Sequence, residues 1–205
     1  MKPHEIETLS FTIIDEEAGP HDFSGEEWQI VRRMIHTSAD FEYMESVRFH
    51  PEAIDRGIEA IRSGKPIFTD TEMARSGLRK KELGNFGVTT TCLISNADVS
   101  RTASESGKTR AHVAVDTAAP LMTGGIYVVG NAPTALLRLL ELVREGRARP
   151  ALIIGLPVGF VNAAESKAAL IETGYPHISN IGRKGGSNLA ASVVNALSIM
   201  ATARS

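Results

Sequence analysis

His36 is the side chain in this sequence with the best surroundings for acid–base chemistry. It stands in Ile35-His36-Thr37-Ser38-Ala39-Asp40, with two hydroxyls and a carboxylate close behind it. An imidazole in such company can have its proton placed and its basicity tuned for work near neutrality. The plainer alternative is a histidine in the last turn of a helix, hydrogen-bonded to backbone carbonyls. From these residues alone the plainer reading is the stronger. His4, His50, His112 and His177 have no supporting cluster, and His21 sits beside an acidic turn, so all five read as structural or surface residues. No two histidines have a metal-ligand spacing.

A second candidate is Gly182-Arg183-Lys184-Gly185-Gly186-Ser187-Asn188. Its glycines let backbone amides approach a ligand, and Arg183 and Lys184 add positive charge ahead of a helix whose dipole adds more. Phosphate or carboxylate groups suit such a loop, and a solvated basic turn is the alternative. The spacing is neither that of a phosphate-binding G-x-x-x-x-G-K-[ST] loop nor that of a dinucleotide-binding G-x-G-x-x-G turn. Asn131, Asn162 and Ser187 are placed to cap helices, Asn162 most clearly because Glu165 follows three residues later. Capping does not exclude a ligand, since a helix N-terminus is itself an anion site.

These residues need elements to hold them. Ser24-Gly25-Glu26-Glu27 has the form of a capping box, and Trp28, Val31 and Ile35 follow at helical spacing. A second helix is expected after His50-Pro51, with Ile54, Ile58 and Ile61 on one face and its end at Gly64. From Pro66 the pattern changes. Strands are expected at 67–69, 89–95, 126–129, 152–154 and 177–179, and helices from Thr71, over 132–145, over 163–173 and over 187–201. Ile126-Tyr127-Val128-Val129 and Leu152-Ile153-Ile154 are continuous apolar runs, as strands buried on both faces should be. The chain is therefore read as one α/β domain over residues 1–205: a mostly parallel, Rossmann-like sheet flanked by helices, with a helical N-terminal part. Ser104–Arg110 is its most linker-like stretch.

Ligands of such sheets bind beyond the carboxyl ends of the strands. That rule selects the loops at 69–71, 95–96, 130–134, 157–160 and 182–188. Bulk properties narrow the partners. A net charge of −2 gives no general attraction to nucleic acid or anionic membrane. Cys92 is the single cysteine, so no internal disulfide or thiolate cluster can form. The apolar runs are about half the length of a membrane span, and the N-terminus lacks the apolar stretch of a secretory signal. A cytoplasmic protein is expected.

Several stretches taken together resemble the precorrin-8X and cobalt-precorrin-8 methylmutases. They are Ile35–Glu42 around the histidine, Gly130-Asn131-Ala132-Pro133-Thr134-Ala135-Leu136, Gly155–Lys167 and Gly182–Ser187, in the family's order. The likeness runs from about Ser10 almost to the C-terminus and is weakest over Asp98–Ala119, where Thr109-Arg110 still matches a family position. Thr37-Ser38-Ala39-Asp40-Phe41 resembles the cobalt-dependent members more than the aerobic ones.

The resemblance implies an isomerase that moves a methyl group from C11 to C12 of a tetrapyrrole in cobalamin synthesis, with no cofactor and no protein-bound metal. It implies that His36 is the catalytic acid. It also implies that Ser10, Thr37, Arg110, Asn131, Thr134, Arg183, Lys184, Gly185 and Ser187 are the substrate-binding rim. Among these, Arg183 and Lys184 could instead stabilise their loop. A homodimer with clefts near the subunit contact is implied as well. Two rivals remain: a nucleotide- or S-adenosylmethionine-dependent enzyme using the same sheet edge, and a non-catalytic corrinoid carrier.

Overall fold

The apolar runs form strands with no exposed face. In the computed structural model, which describes residues 3–204 (side chains from residue 5), six strands build one sheet. They are β1 (Val47–Phe49), β2 (Ile67–Thr69), β3 (Thr90–Cys92), β4 (Ile126–Val129), β5 (Leu152–Gly155) and β6 (His177–Asn180). The spatial order is β1-β6-β5-β4-β2-β3. Strands β2 to β6 run parallel, and β1 joins β6 antiparallel with Val47 opposite Asn180. The side chain of His4, read above as structural or surface, lies outside the described residues.

Helices cover both faces. α2 (Gly25–Ser38), α4 (Ala53–Arg62) and α11 (Ser187–Ala203) pack on one side, with the short α5 (Glu72–Ser76) and α6 (Lys80–Gly84) against α11. α8 (Arg110–Ala118), α9 (Pro133–Arg144) and α10 (Ala163–Glu172) lie on the other, with α7 (Ala97–Ser106) against α8. Strand residues alternate between the two cores as a pleated strand requires. Ile126, Val128, Leu152 and Ile154 face α2, α4 and α11, whereas Tyr127, Val129 and Ile153 face α8 and α9. Each such fully buried Ile or Leu contributes about 1.5–3 kcal/mol of apolar burial. α1 (Pro3–Ala18) lies on α2, and α3 (Tyr43–Ser46) leads into β1.

Several expectations change. β1 was not foreseen: three residues with one exposed position carry no periodic pattern. The strand expected at 89–95 stops at Cys92, because Asn96 closes a turn onto the Leu93 carbonyl and caps α7 with its side chain. Ser104–Arg110 is not a linker but the end of α7, a left-handed Gly107 and the Thr109-capped start of α8. Asn162 does not cap α10 with its side chain. Its backbone is left-handed, at φ 60°, so only its carbonyl serves the helix, accepting from the Ser166 amide. Among the described residues no helix is long and apolar enough to cross a membrane.

Candidate active site

Because β2 to β6 are parallel, the chain following each of them emerges at one edge of the sheet. β1 brings a further segment there. Running antiparallel to β6, it begins where β6 ends, so the chain before it reaches the same edge and Ser46 accepts a hydrogen bond from the Ile181 amide at 2.9 Å. The end of α2, with His36, is delivered to the carboxyl edge by this route.

α2 is built to end there. Ser24 and Glu27 complete the capping box at its start. Ile30, Val31, Met34 and Ile35 are buried, and Ala39 closes the helix in a left-handed conformation with its amide on the Ile35 carbonyl. His36 falls on the exposed face of the last turn. Its ring meets Phe11 of α1 edge-on at 5.2 Å, and it makes no hydrogen bond or ion pair among the described residues. Phe11 is held in turn by the Arg32 and Arg33 guanidinium groups, at 4.5 and 5.1 Å from its centroid. Arg33 pairs with Glu7 and Arg32 with Asp15, which locks α1 to α2. His36 therefore opens into a pocket of about 320 Å³ with Ser10, Ile13, Ile14, Glu17 and Phe41. A larger concavity of about 660 Å³, carrying Glu27, Met44 and Glu45, adjoins it across Glu17 and Phe41.

Of the expected rim residues, Ser10 shares the His36 pocket, with its hydroxyl donating to the Ile6 carbonyl. Thr37 is exposed and back-bonds to the Arg33 carbonyl. The remaining residues cluster further along the edge. Thr134 meets Thr109 at 3.1 Å, beside Arg110, an exposed cation with no ion pair among the described residues. Ser187 bonds Thr71 at 2.8 Å, and Gly130 packs so closely on it that an added Cβ would lie 2.5 Å from the Ser187 Cα. At Gly185 a Cβ would lie 2.3 Å from the Leu156 carbonyl oxygen.

Lys184 joins the two regions. Its ammonium donates to Asp40 at 2.5 Å and lies 2.8 Å from Glu42, tying the β6 loop to the segment that follows His36. That hydrogen bond holds the Asp40 carboxyl below its usual range, and the two carboxylates raise Lys184. The neighbouring Tyr43 hydroxyl is pushed up to about 12, chiefly by burial and then by the Asp40 charge. Arg183 lies 5.5 Å from the ring centroid of Phe160, which is 84% exposed.

Two further residues matter here. Lys167 of α10 is fully buried, and its ammonium donates to the Asn180 side chain at 3.0 Å and the Lys184 carbonyl at 2.6 Å. With no carboxylate paired to it among the described residues, burial pulls it down to about 8. Asp70, directly after β2, is 2% exposed and accepts from the amides of Gly130 (2.9 Å), Asn131 (2.8 Å) and Ala132 (2.7 Å). Asn131 thus contributes a backbone donor and no cap: Ala132 takes the capping position of α9, and Gly186, not Ser187, that of α11. The sequence placed Asp70 in the loop after a strand and Lys167 at the end of the Gly155–Lys167 stretch, but nothing local marked either as a buried charge.

The model of the family described as Precorrin-8X methylmutase matches residues 5–200. The chain belongs to the precorrin-8X methylmutase family. It is 49% identical, over 98% of its length and 89% of the relative's, to a cobalt-precorrin-8 methylmutase of Priestia megaterium. It is 46% identical, over 97% and 94%, to a cobalt-precorrin-8 methylmutase of Leptospira interrogans. The crystal structure of a precorrin-8X methylmutase from Thermus thermophilus superposes with a TM-score of 0.91 at 46% identity, covering 98% of this chain and 97% of that one. As a member of this methylmutase family the chain is an isomerase.

Proposed function

We propose that this chain acts in cobalamin biosynthesis, moving a methyl group from C11 to C12 of precorrin-8X or its cobalt form, with His36 as general acid. The observation that carries this reading is the position of His36. It is an exposed imidazole with no polar partner among the described residues, between the Ser10 hydroxyl and the apolar wall of Ile13, Ile14 and Phe41. In the shift the C11–methyl bond breaks as the C12–methyl bond forms, so product and substrate are isomers and nothing is consumed. The imidazolium lends a proton to the macrocycle, which favours migration, and recovers it when the corrin forms. General acid catalysis of this kind contributes about 10²- to 10⁴-fold, and holding the ring contributes the rest.

The rim suits a disc edged with carboxylates. Arg110 has no ion pair among the described residues, Ser10, Thr37 and Thr134 offer hydroxyls, and Asn131, Gly185 and Ser187 lie where small groups let backbone come close. Arg183 and Lys184 serve first to fix their loop, through Phe160 and through Asp40 and Glu42. The names of the two curated relatives and the Thr37–Phe41 pattern favour the cobalt-bearing substrate, with the metal part of that substrate. The enzyme works without a cofactor, in the cytoplasm, as a homodimer. Ile6, Leu9 and Ile13 form an exposed apolar stripe on α1 beside the His36 pocket, which suits a subunit contact that closes the cleft.

The test is cobalt-precorrin-8 carrying a ¹³C label in the migrating methyl, incubated anaerobically with the protein. The expected result is a product of unchanged mass whose labelled resonance has moved from the C11 to the C12 methyl position. Tight binding without conversion would instead make the protein a corrinoid carrier.

A further inference from the structure

The strand order reverses between β2 and β4, since β3 lies on one side of β2 while β4, β5 and β6 follow on the other. In doubly wound sheets this reversal opens the crevice in which ligands bind, with anionic groups on the amides at the next helix N-terminus. Here the crevice holds Asp70. One of its carboxylate oxygens accepts from the Gly130 amide and the other from those of Asn131 and Ala132. Its own amide donates to the Val128 carbonyl, which continues the β2–β4 pairing one residue beyond the strand. Burial and backbone amides, with no lysine or arginine among the described residues, set the environment of this carboxylate. Burial pushes the Asp70 carboxyl up from its ordinary range, and the three amides, at the N-terminal end of α9, act against that and favour the charged form.

Three segments of the edge converge on this one turn. Asp70 fixes the backbone from Gly130 to Ala132, two residues before Thr134 and its contact with Thr109. Thr71, next in sequence, caps α5 and bonds Ser187 at the start of α11. Gly130 lies against that same Ser187.

We infer that Asp70 is a positioning residue: its carboxylate is a built-in anion filling the cradle that this fold offers to a ligand's phosphate, and it sets the height at which Asn131 and Thr134 meet the substrate. The inference rests on the proposed binding role of that loop. The carboxylate also takes up the amides that a ligand's phosphate would need.

Two variants test it. Asp70→Gly empties the cradle without adding atoms, and Asp70→Asn keeps the shape but turns a donor toward the amides. Thermal midpoints are read first, in titrations with formate, acetate and inorganic phosphate, because they need no substrate. The wild type should not respond to these anions. Asp70→Gly should melt lower and recover saturably with formate or acetate, whereas Asp70→Asn should not recover. In the methylmutase assay both variants should raise KM by about tenfold or more and lower kcat less, as expected when buried amides lose their acceptor. Formate should restore KM in Asp70→Gly alone.

Equal anion responses in wild type and Asp70→Gly would overturn the inference, as would a wild-type KM in Asp70→Asn. If Asp70→Gly does not fold, the KM of Asp70→Asn decides. If the wild type turns over no corrinoid, the proposed function fails, while the anion titrations still decide whether the cradle is filled as described.

Discussion

At the scale of single residues the site divides into side chains that are free and side chains that are engaged. Arg110 is exposed and has no ion pair among the described residues, whereas Lys184 is held by Asp40 and Glu42 and Arg183 lies on Phe160. Arg110→Ala is therefore expected to weaken corrinoid binding by about 1.5–3 kcal/mol, the value of a charge-assisted contact. Equilibrium titration checks this, and unchanged affinity would remove Arg110 from the rim. Lys167 makes a prediction about pH. Its folded pKa, about 8, lies below that of a lysine in the unfolded chain, so the charged form opposes folding. Between about pH 8 and 10.5 the unfolded state binds the extra proton, and stability gains up to about 1.4 kcal/mol per pH unit from this group. Urea unfolding across that range should show the gain in wild type relative to Lys167→Met. Parallel curves for the two proteins would show that burial does not disfavour the charge.

The elements explain why these residues meet. The loop after β6 can lie against the loop after β5 because Gly185 has no side chain where the Leu156 carbonyl approaches. Gly185→Ala should cost roughly 1–3 kcal/mol, by strain or loop displacement, in denaturant unfolding. A wild-type midpoint would mean that the loops part without cost. Much of this layer was legible in the sequence. Continuous apolar runs marked β4 and β5, the short strand-like Ile67-Phe68-Thr69 marked β2, and the Ser24 capping box marked the start of α2. β1 was not legible, since three residues with mixed exposure derive their strand geometry from β6, not from a pattern of their own. That one short strand explains how His36, far from the other motifs in sequence, comes to their edge of the sheet. The candidate site was legible by residue type but not by partner. Nothing local to Lys184 announces Asp40, and nothing local to Asp70 announces three amides sixty residues away.

At the scale of the whole molecule, the sheet edge is polar and glycine-rich while apolar side chains stand exposed around it. Ile6, Leu9 and Ile13 line α1, and Phe160 and Val161 project from the loop after β5. Surfaces of this kind mark contacts or ligand walls. Sedimentation equilibrium should accordingly give a mass of about 44 kDa, twice the 22.0 kDa of one chain. A species of 22.0 kDa across the concentration range would show that the His36 cleft is complete within one chain. The two concavities beside His36 share Glu17 and Phe41, so one broad ligand could span both.

In the proposed mechanism His36 supplies the proton for the methyl shift without being needed to hold the ring. Anaerobic mixing of wild-type and His36→Ala protein with precorrin-8 substrate, followed by visible absorption, tests it most directly. Wild type should give conversion to the corrin spectrum, whereas His36→Ala should leave the substrate bound but unconverted, with turnover lower by about 10²- to 10⁴-fold. Conversion by His36→Ala at the wild-type rate would contradict the mechanism.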